Sequence, residues 1–111
     1  MPHPFLSEEW MAEARAIHDV CLGRGIPVWC GGMLETGIGR AANAAIAALD
    51  GFTLTGDISA SRRFWARDIV RRPLDVVDGH VTVPDGAGFG FELDTEFLDS
   101  VTTRVTDLSD D

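Results

Sequence analysis

Apolar residues recur at intervals of three and four along residues 7–22, a spacing that predicts a helix with one apolar face. That face carries Leu6, Trp10, Ala14, Ile17 and Cys21. Ser7 stands where an N-cap is expected, and Gly23 or Gly25 can end the helix in a left-handed turn. The first element of the chain is therefore predicted to be an amphipathic helix.

A strand is predicted next, at residues 26–30, where the apolar residues are consecutive rather than alternating. Consecutive apolar positions are typical of a parallel strand with both faces buried under helices. An alanine-rich helix at residues 37–49 and a second strand at residues 52–55 follow after short connections. The order helix, strand, helix, strand is the repeating unit of a (β/α) barrel or an open α/β sheet.

The pattern is less regular in the second half of the chain. Residues 59–70 are predicted to form a short helix or an irregular turn. Asp78-Gly79 separates two alternating segments, residues 74–77 and 80–83, and predicts a hairpin with a two-residue turn.

The last part of the chain combines three short features. Residues 89–93 are predicted to be extended, and Asp94 is a candidate N-cap for a short helix that follows it. Residues 107–111 are polar and are expected to form a frayed tail.

Composition narrows the classes of function. The chain has 111 residues, of which 45% are hydrophobic, and this suits one domain with a core of its own. Its net charge of −9 disfavours binding to the phosphates of nucleic acids. No apolar run reaches the roughly 20 residues that span a bilayer, and the first residues lack a signal-peptide pattern. We therefore expect no membrane association and a cytoplasmic location.

The residue types that most often carry chemistry are sparse. All nine basic residues are arginine, so this chain can supply no lysine as acid, base or Schiff-base former. Cys21 and Cys30 are expected to be reduced core residues, although their spacing also allows a disulfide. His3, His18 and His80 lack the spacing of metal ligands, and the last two are expected to be surface or partly packed residues.

A candidate binding site lies at residues 31–40, GGMLETGIGR, where the first predicted strand ends and a helix begins. Ligands of α/β folds bind at this end of the strands, and glycines there let the backbone approach a ligand closely. Thr36 can cap the helix, whose free N–H groups would bind a carboxylate or phosphate. Glu35 is a candidate acid, base or hydrogen-bond acceptor. Alternatively, the glycines only form a tight turn and Glu35 is solvated or paired with Arg40.

Asp57 follows the second predicted strand in the same way, and it lines the same pocket as Glu35 if the two strands are neighbours. The alternative is a turn residue without a functional role. Further along, a cluster of arginines is expected to form a solvated face paired with Asp68 and Asp75, or else to bind an acidic partner. The cluster consists of Arg62, Arg63, Arg67, Arg71 and Arg72.

Three stretches of the chain together resemble the C-terminal end of the o-succinylbenzoate synthase and N-acylamino acid racemase group of the enolase superfamily. They are residues 14–21 (ARAIHDVC), residues 25–40 (GIPVWCGGMLETGIGR) and a third stretch that consists of Phe52-Thr53-Leu54 with Gly56-Asp57 and Ser59-Ala60-Ser61. The block GGMLETGIGR is the most specific of them. The hairpin at Asp78-Gly79-His80 resembles the closing segment of the same family, and the resemblance extends over roughly residues 11–105.

The resemblance implies an α/β fold, namely the C-terminal slice of a (β/α)₇β enolase-type (TIM) barrel plus the tail segment that returns to the capping domain. It divides the chain into a non-matching segment at residues 1–10, the barrel end at 11–72, the hairpin and closing segment at 73–105, and an acidic tail at 106–111. By resemblance, six residues line the substrate side of the pocket: Gly32, Met33, Leu34, Glu35, Thr36 and Asp57.

In this family a divalent metal, usually Mg²⁺, and paired lysines remove a proton beside a substrate carboxylate. The resemblance places those ligands and lysines outside this chain, so it implies no catalytic residue, no metal ligand and no cofactor here. A carboxylate substrate is then expected to bind only together with the rest of the barrel.

The sequence is therefore interpreted as a C-terminal fragment of an o-succinylbenzoate synthase-like enzyme of menaquinone biosynthesis, inactive alone. Three alternatives remain open. One is a fragment of an N-succinylamino acid racemase, and another is a gene remnant. The third is a non-catalytic module that self-associates, or that complements a separate barrel portion, through exposed strand edges.

Overall fold

The computed structural model describes residues 8–88 and 90–108. Its helices are α1 (Glu8–Gly23), α2 (Gly37–Ala47) and α3 (Thr95–Val101), with a 3₁₀ turn at Ser61–Arg63. Within the described ranges no residue belongs to a regular β-strand. None of these helices combines the length and apolarity that crossing a bilayer would require.

Helix α1 confirms the predicted amphipathic helix. Its end has the expected left-handed glycine, because Gly25 has a φ of 69° and the N–H of Ile26 reaches back to the Cys21 carbonyl at 2.9 Å. The predicted cap, Ser7, lies outside the described residues. Both cysteines are free thiols and are half-buried.

His18 joins α1 to the segment that follows α2. Its Nε2 accepts a hydrogen bond from the N–H of Gly51 at 2.8 Å, so Nδ1 carries the proton and donates to the Asp19 carboxylate at 2.9 Å. The imidazole also stacks on Phe52, with ring centroids 5.6 Å apart. The prediction of a surface or partly packed His18 was wrong, because these contacts bury the side chain.

The two predicted strands lie side by side. The N–H of Val28 donates to the Gly51 carbonyl at 3.1 Å, and the N–H of Leu54 donates to the Val28 carbonyl at 3.3 Å. In a parallel pair, the N–H of a residue donates to an earlier position of the neighbouring segment and its carbonyl accepts from a later position. Residues 26–30 and 51–55 therefore run in the same direction.

Neither segment, however, forms the regular two-sided strand that the sequence predicted. Ile26 and Trp29 are 50% and 54% exposed, so the expectation that both faces of residues 26–30 are buried was wrong. The physical reason is that this segment has a backbone neighbour along one edge only among the described residues. A strand inside a parallel sheet would have one on each edge.

The hairpin turn is confirmed at its tip. Asp78 and Gly79 have φ values of 52° and 75°, the left-handed pair of a two-residue turn, and Val77 and His80 exchange two hydrogen bonds of 2.9 Å. The predicted arms at residues 74–77 and 80–83 do not pair further, because this bridge is isolated. His80 is exposed, as expected.

A second pairing was not predicted. Residues 69–71 run antiparallel to residues 92–94, with an N–H to carbonyl distance of 2.9 Å from Arg71 to Glu92 and of 2.7 Å from Asp94 to Ile69. The C-terminal part of the predicted extended segment, residues 89–93, takes part in this pairing. The first residue of the segment, Phe89, lies outside the described residues.

Asp94 caps α3, as predicted. Its carboxylate accepts from the N–H of Phe97 at 3.1 Å and from the guanidinium of Arg67 at 2.8 Å. The hydrogen bond from Arg67, and to a smaller extent the one from Phe97, lowers the pKa of Asp94 below its ordinary value.

We expect the cap of α3 to depend on pH accordingly. Since the pKa of Asp94 is lower in the folded chain, its contribution to stability is complete above the ordinary value of 3.8 and is lost as the pH falls through the lower folded value. The amide shift of Phe97, followed by NMR, should titrate with a midpoint below 3.8. Arg67→Met should move the midpoint upward and Asp94→Asn should abolish it; a wild-type midpoint at or above the ordinary value would contradict the prediction.

Candidate functional site

Two loops follow the paired segments: loop A (residues 31–36) after the first, and loop B (residues 56–59) after the second. They are joined by a hydrogen bond from the N–H of Gly32 to the carboxylate of Asp57. A Cβ at Gly32 would lie 2.8 Å from the Asp57 carbonyl oxygen, so only glycine allows this approach. The structure thus brings together Gly32 and Asp57, two of the predicted site residues.

Glu35 shapes loop A from within. Its carboxylate accepts from the N–H of Met33 at 2.7 Å and from the amide of Asn43 at 3.2 Å, one bond on each oxygen. The alternative in which its side chain pairs with Arg40 was wrong, since Arg40 reaches the backbone carbonyl of Glu35 instead. A carboxylate held by internal donors acts first as a structural acceptor.

Arg40 connects loop A to loop B. Its guanidinium donates to the carbonyls of Glu35 at 2.7 Å and Ser59 at 2.9 Å, and lies 5.3 Å from the centre of the Phe64 ring. Trp65 donates from its indole N–H to the same Glu35 carbonyl at 3.0 Å. Only 1% of Arg40 is exposed, and it forms no ion pair with the described carboxylates. A buried cation bonded to two loop carbonyls fixes their relative position.

The N-terminus of α2 is capped from elsewhere in the chain. Thr36 occupies the N-cap position, as predicted, but its side chain makes no cap hydrogen bond. Asp68 accepts from the N–H groups of Gly37 at 2.9 Å and Ile69 at 2.7 Å, and from the hydroxyl of Ser61. The first free N–H of α2 is therefore already satisfied by a buried carboxylate rather than left for a ligand.

Asp68 also corrects the interpretation of the arginine cluster. The cluster is a solvated face in which Arg62 pairs with Asp75 and Arg67 with Asp94, both at 2.8 Å. Asp75 is paired as predicted, whereas Asp68 is buried at the helix and is not part of that face.

Met33 and Leu34 are the most exposed apolar side chains of loop A, at 75% and 64%. Nearby, partial burial raises the pKa of the Cys30 thiol, and the carboxylates of Glu35 and Asp57 raise it further. Cys30 is therefore held in its protonated, unreactive form at neutral pH. Exposed apolar side chains and the carboxylates of Glu35 and Asp57 therefore occur together at this end of the paired segments.

The carboxylates of the site do not form a metal centre. Among residues 8–88 and 90–108, no three His, Cys, Asp or Glu side chains are grouped closely enough to hold a metal ion. The oxygens of Glu35 and Asp57 accept backbone N–H donors, as described above. The residues present do not fit the Mg²⁺ ion that the resemblance implies for the whole barrel, and no chemical step is assigned to them through it.

The loops contribute to an open surface rather than to an enclosed pocket. Loop B lines a depression of about 660 Å³ together with Arg62, Arg63 and Val76. No residue of loop A lines this depression.

Sequence reasoning misassigned Arg40 and Asp68. Arg40 does carry a signal, because it shares the spacing of one helical face with the buried residues Gly37, Ala41 and Ala44. A charged residue on the inner face of an alanine-rich helix indicates a buried, hydrogen-bonded cation. Asp68 offers no such signal, since its partner Gly37 is 31 positions away.

The geometry agrees with what comparison with known proteins shows. Residues 11–97 match the family model described as enolase C-terminal domain-like. The chain belongs to this family. The matched range includes both paired segments, both loops and α2.

Proteins similar to this chain include both enzymes of the group that the sequence resembles. The chain is 58% identical over 91 residues to an N-succinylamino acid racemase of an Amycolatopsis species. The aligned region covers 82% of this chain and 24% of that protein. The chain is 49% identical over 92 residues to an o-succinylbenzoate synthase of Geobacillus stearothermophilus, covering 83% and 24%. The chain thus spans about a quarter of the length of these relatives.

A solved structure gives the same answer. An enolase superfamily member from Listeria innocua superposes with a TM-score of 0.75 and 46% sequence identity, covering 80% of this chain and 24% of that one. The resemblance to the enolase superfamily that the three stretches indicated is therefore confirmed.

Proposed function

We propose that this chain supplies one wall of the substrate pocket in an o-succinylbenzoate synthase-like enzyme, and that it is inactive without the remaining barrel. The wall consists of loops A and B, with Met33 and Leu34 facing the apolar part of a carboxylate substrate. Proton transfer and the Mg²⁺ ion that enolase superfamily enzymes generally use would belong to the rest of the barrel.

The observation that carries the proposal is the junction of the two loops at the carboxyl ends of parallel segments. Active sites of (β/α) barrels lie at this end of the strands. Gly32, Asp57 and Arg40 fix the loops to each other, which leaves Met33 and Leu34 exposed. Large exposed apolar side chains on a rigid loop suit a binding surface.

A racemase is the second candidate for the whole enzyme. Its support is the 58% identity to the Amycolatopsis racemase, against 49% for the Geobacillus synthase. The two reactions share proton removal beside a carboxylate, and the wall described here would serve either one.

A chimera tests the proposal. The 91 matched residues of the Amycolatopsis racemase are replaced by those of this chain, and the product is assayed with Mg²⁺ for o-succinylbenzoate formation and for racemisation. We expect kcat/KM within about tenfold of the parent for at least one reaction, a difference of about 1.4 kcal/mol. A folded chimera, judged by circular dichroism, that turns over neither substrate would contradict the proposal.

In the same chimera, Leu34→Glu should raise KM about tenfold while changing kcat less, because the apolar part of the substrate would then desolvate a carboxylate that has no partner. Val77→Glu is the matched control, since Val77 is also exposed, at 65%, but lies at the hairpin turn. Equal effects of the two substitutions would show that Leu34 does not face the substrate.

A further inference from the structure

The side chain of Glu35 lies against the first two turns of α2. Its aliphatic part packs over Gly39, where a Cβ would lie 3.0 Å from the Glu35 Cγ and 3.1 Å from its Cβ. One turn further along the same face of the helix, Asn43 donates from its side-chain amide to the Glu35 Oε1 at 3.2 Å. Since an ionised carboxylate only accepts, the NH₂ group of Asn43 must face it. Helix α2 therefore provides both the space and the donor for this carboxylate.

The same carboxylate fixes the backbone of loop A. Its second oxygen, Oε2, accepts from the N–H of Met33 at 2.7 Å, so the chain turns back on itself over residues 33–35. One oxygen thus faces α2 and the other faces the loop. The helix is itself held in the fold, because its residues Ala41 and Ala44 are buried. The position of Met33 is therefore determined by α2 through the carboxylate of Glu35.

This contact is separate from the one that Arg40 makes. Arg40 and Trp65 both donate to the backbone carbonyl of Glu35, whereas Asn43 donates to its side chain. The contacts with the carbonyl hold the end of loop A in place. The contact with the side chain fixes the course of the residues that precede Glu35 in the loop.

We propose that Asn43 is a positioning residue of the substrate pocket: by holding the Glu35 carboxylate, it determines where Met33 and Leu34 meet the apolar part of the substrate. This inference rests on the proposed function and adds a residue outside both loops that affects substrate affinity. Because both oxygens of Glu35 are bonded to donors of this chain, Glu35 acts through Met33 rather than on the reacting atoms. A change at Asn43 should therefore alter KM more than kcat.

Exchanging the two side-chain groups tests the inference in the chimera. Asn43→Asp alone places two carboxylates against each other and should raise KM about tenfold while changing kcat less. Adding Glu35→Gln should return KM to within about twofold of the unsubstituted chimera. In this double variant, the new amide donates to the new carboxylate, and its oxygen still accepts from the N–H of Met33.

Ala45→Asp is the matched control, because it introduces the same charge at an exposed position of the same helix. It should change KM by less than about twofold. A second measurement needs no activity: in the full chain alone, hydrogen exchange of the Met33 amide should become about tenfold faster with Asn43→Asp and recover in the double variant.

The inference is overturned if Asn43→Asp and Ala45→Asp change KM equally, or if the double variant remains as impaired as Asn43→Asp. Exchange of the Met33 amide that is the same in all variants would overturn it too. An inactive chimera would instead refute the proposed function, and the Met33 amide of the full chain would still decide whether Asn43 positions loop A.

Discussion

Arg40→Met should lower the free energy of unfolding by about 3 kcal/mol, measured by urea denaturation of the full chain. The substitution removes two hydrogen bonds from a buried guanidinium to the carbonyls of Glu35 and Ser59. Hydrogen bonds to a charged group contribute about 1.5–3 kcal/mol each, part of which is offset because the buried charge is also removed. Loops A and B should then separate, with faster amide exchange at Gly32.

Arg40→Lys should recover part of this loss, since a single ammonium keeps the charge but not the two-pronged geometry. Arg62→Met is the control, because Arg62 is exposed and its solvated ion pair with Asp75 should contribute little to stability. If Arg40→Met cost no more than Arg62→Met, Arg40 would not join the loops.

Asp68→Ala should lower the free energy of unfolding by a similar amount, about 3 kcal/mol. The substitution leaves two buried N–H groups and the Ser61 hydroxyl without their acceptor. Asp68→Asn should lower the free energy of unfolding by only about 1 kcal/mol, because the amide oxygen of asparagine can still accept from the N–H of Gly37. Urea denaturation measures both, and the exchange rate of the Gly37 amide reports the cap directly.

Asp99→Ala serves as the comparison for Asp68. Asp99 is exposed on α3, and its removal should change stability by less than about 0.5 kcal/mol. A loss for Asp68→Ala as small as this would mean that the start of α2 does not depend on the buried carboxylate.

Features that depend on neighbouring residues in the sequence were predictable. The structure contains three such features: helix α1, the Asp94 cap and the left-handed turn at Asp78-Gly79. Each of them is determined by residues close together in the sequence. The block GGMLETGIGR and the stretches on either side of it were enough to identify the family, which the match over residues 11–97 confirms.

Features that depend on distant partners were not predictable. Asp68 lies in an arginine-rich stretch that looks solvated, and only the fold brings it to Gly37. His18 is similar, because its acceptor role depends on Gly51, 33 positions away. The exposure of Trp29 could not be read from its apolar neighbours, since burial of a strand face depends on which elements cover it.

A crystal structure of the chimera with o-succinylbenzoate bound would show whether loops A and B form a wall of the substrate pocket. We expect side chains of loop A, Met33 and Leu34 first, to contact the ligand within about 4 Å, the ordinary distance of an apolar contact. We also expect Arg40 to bridge the carbonyls of Glu35 and Ser59, as it does in this chain. If the ligand touched neither loop A nor loop B, these loops would not form a wall of the pocket.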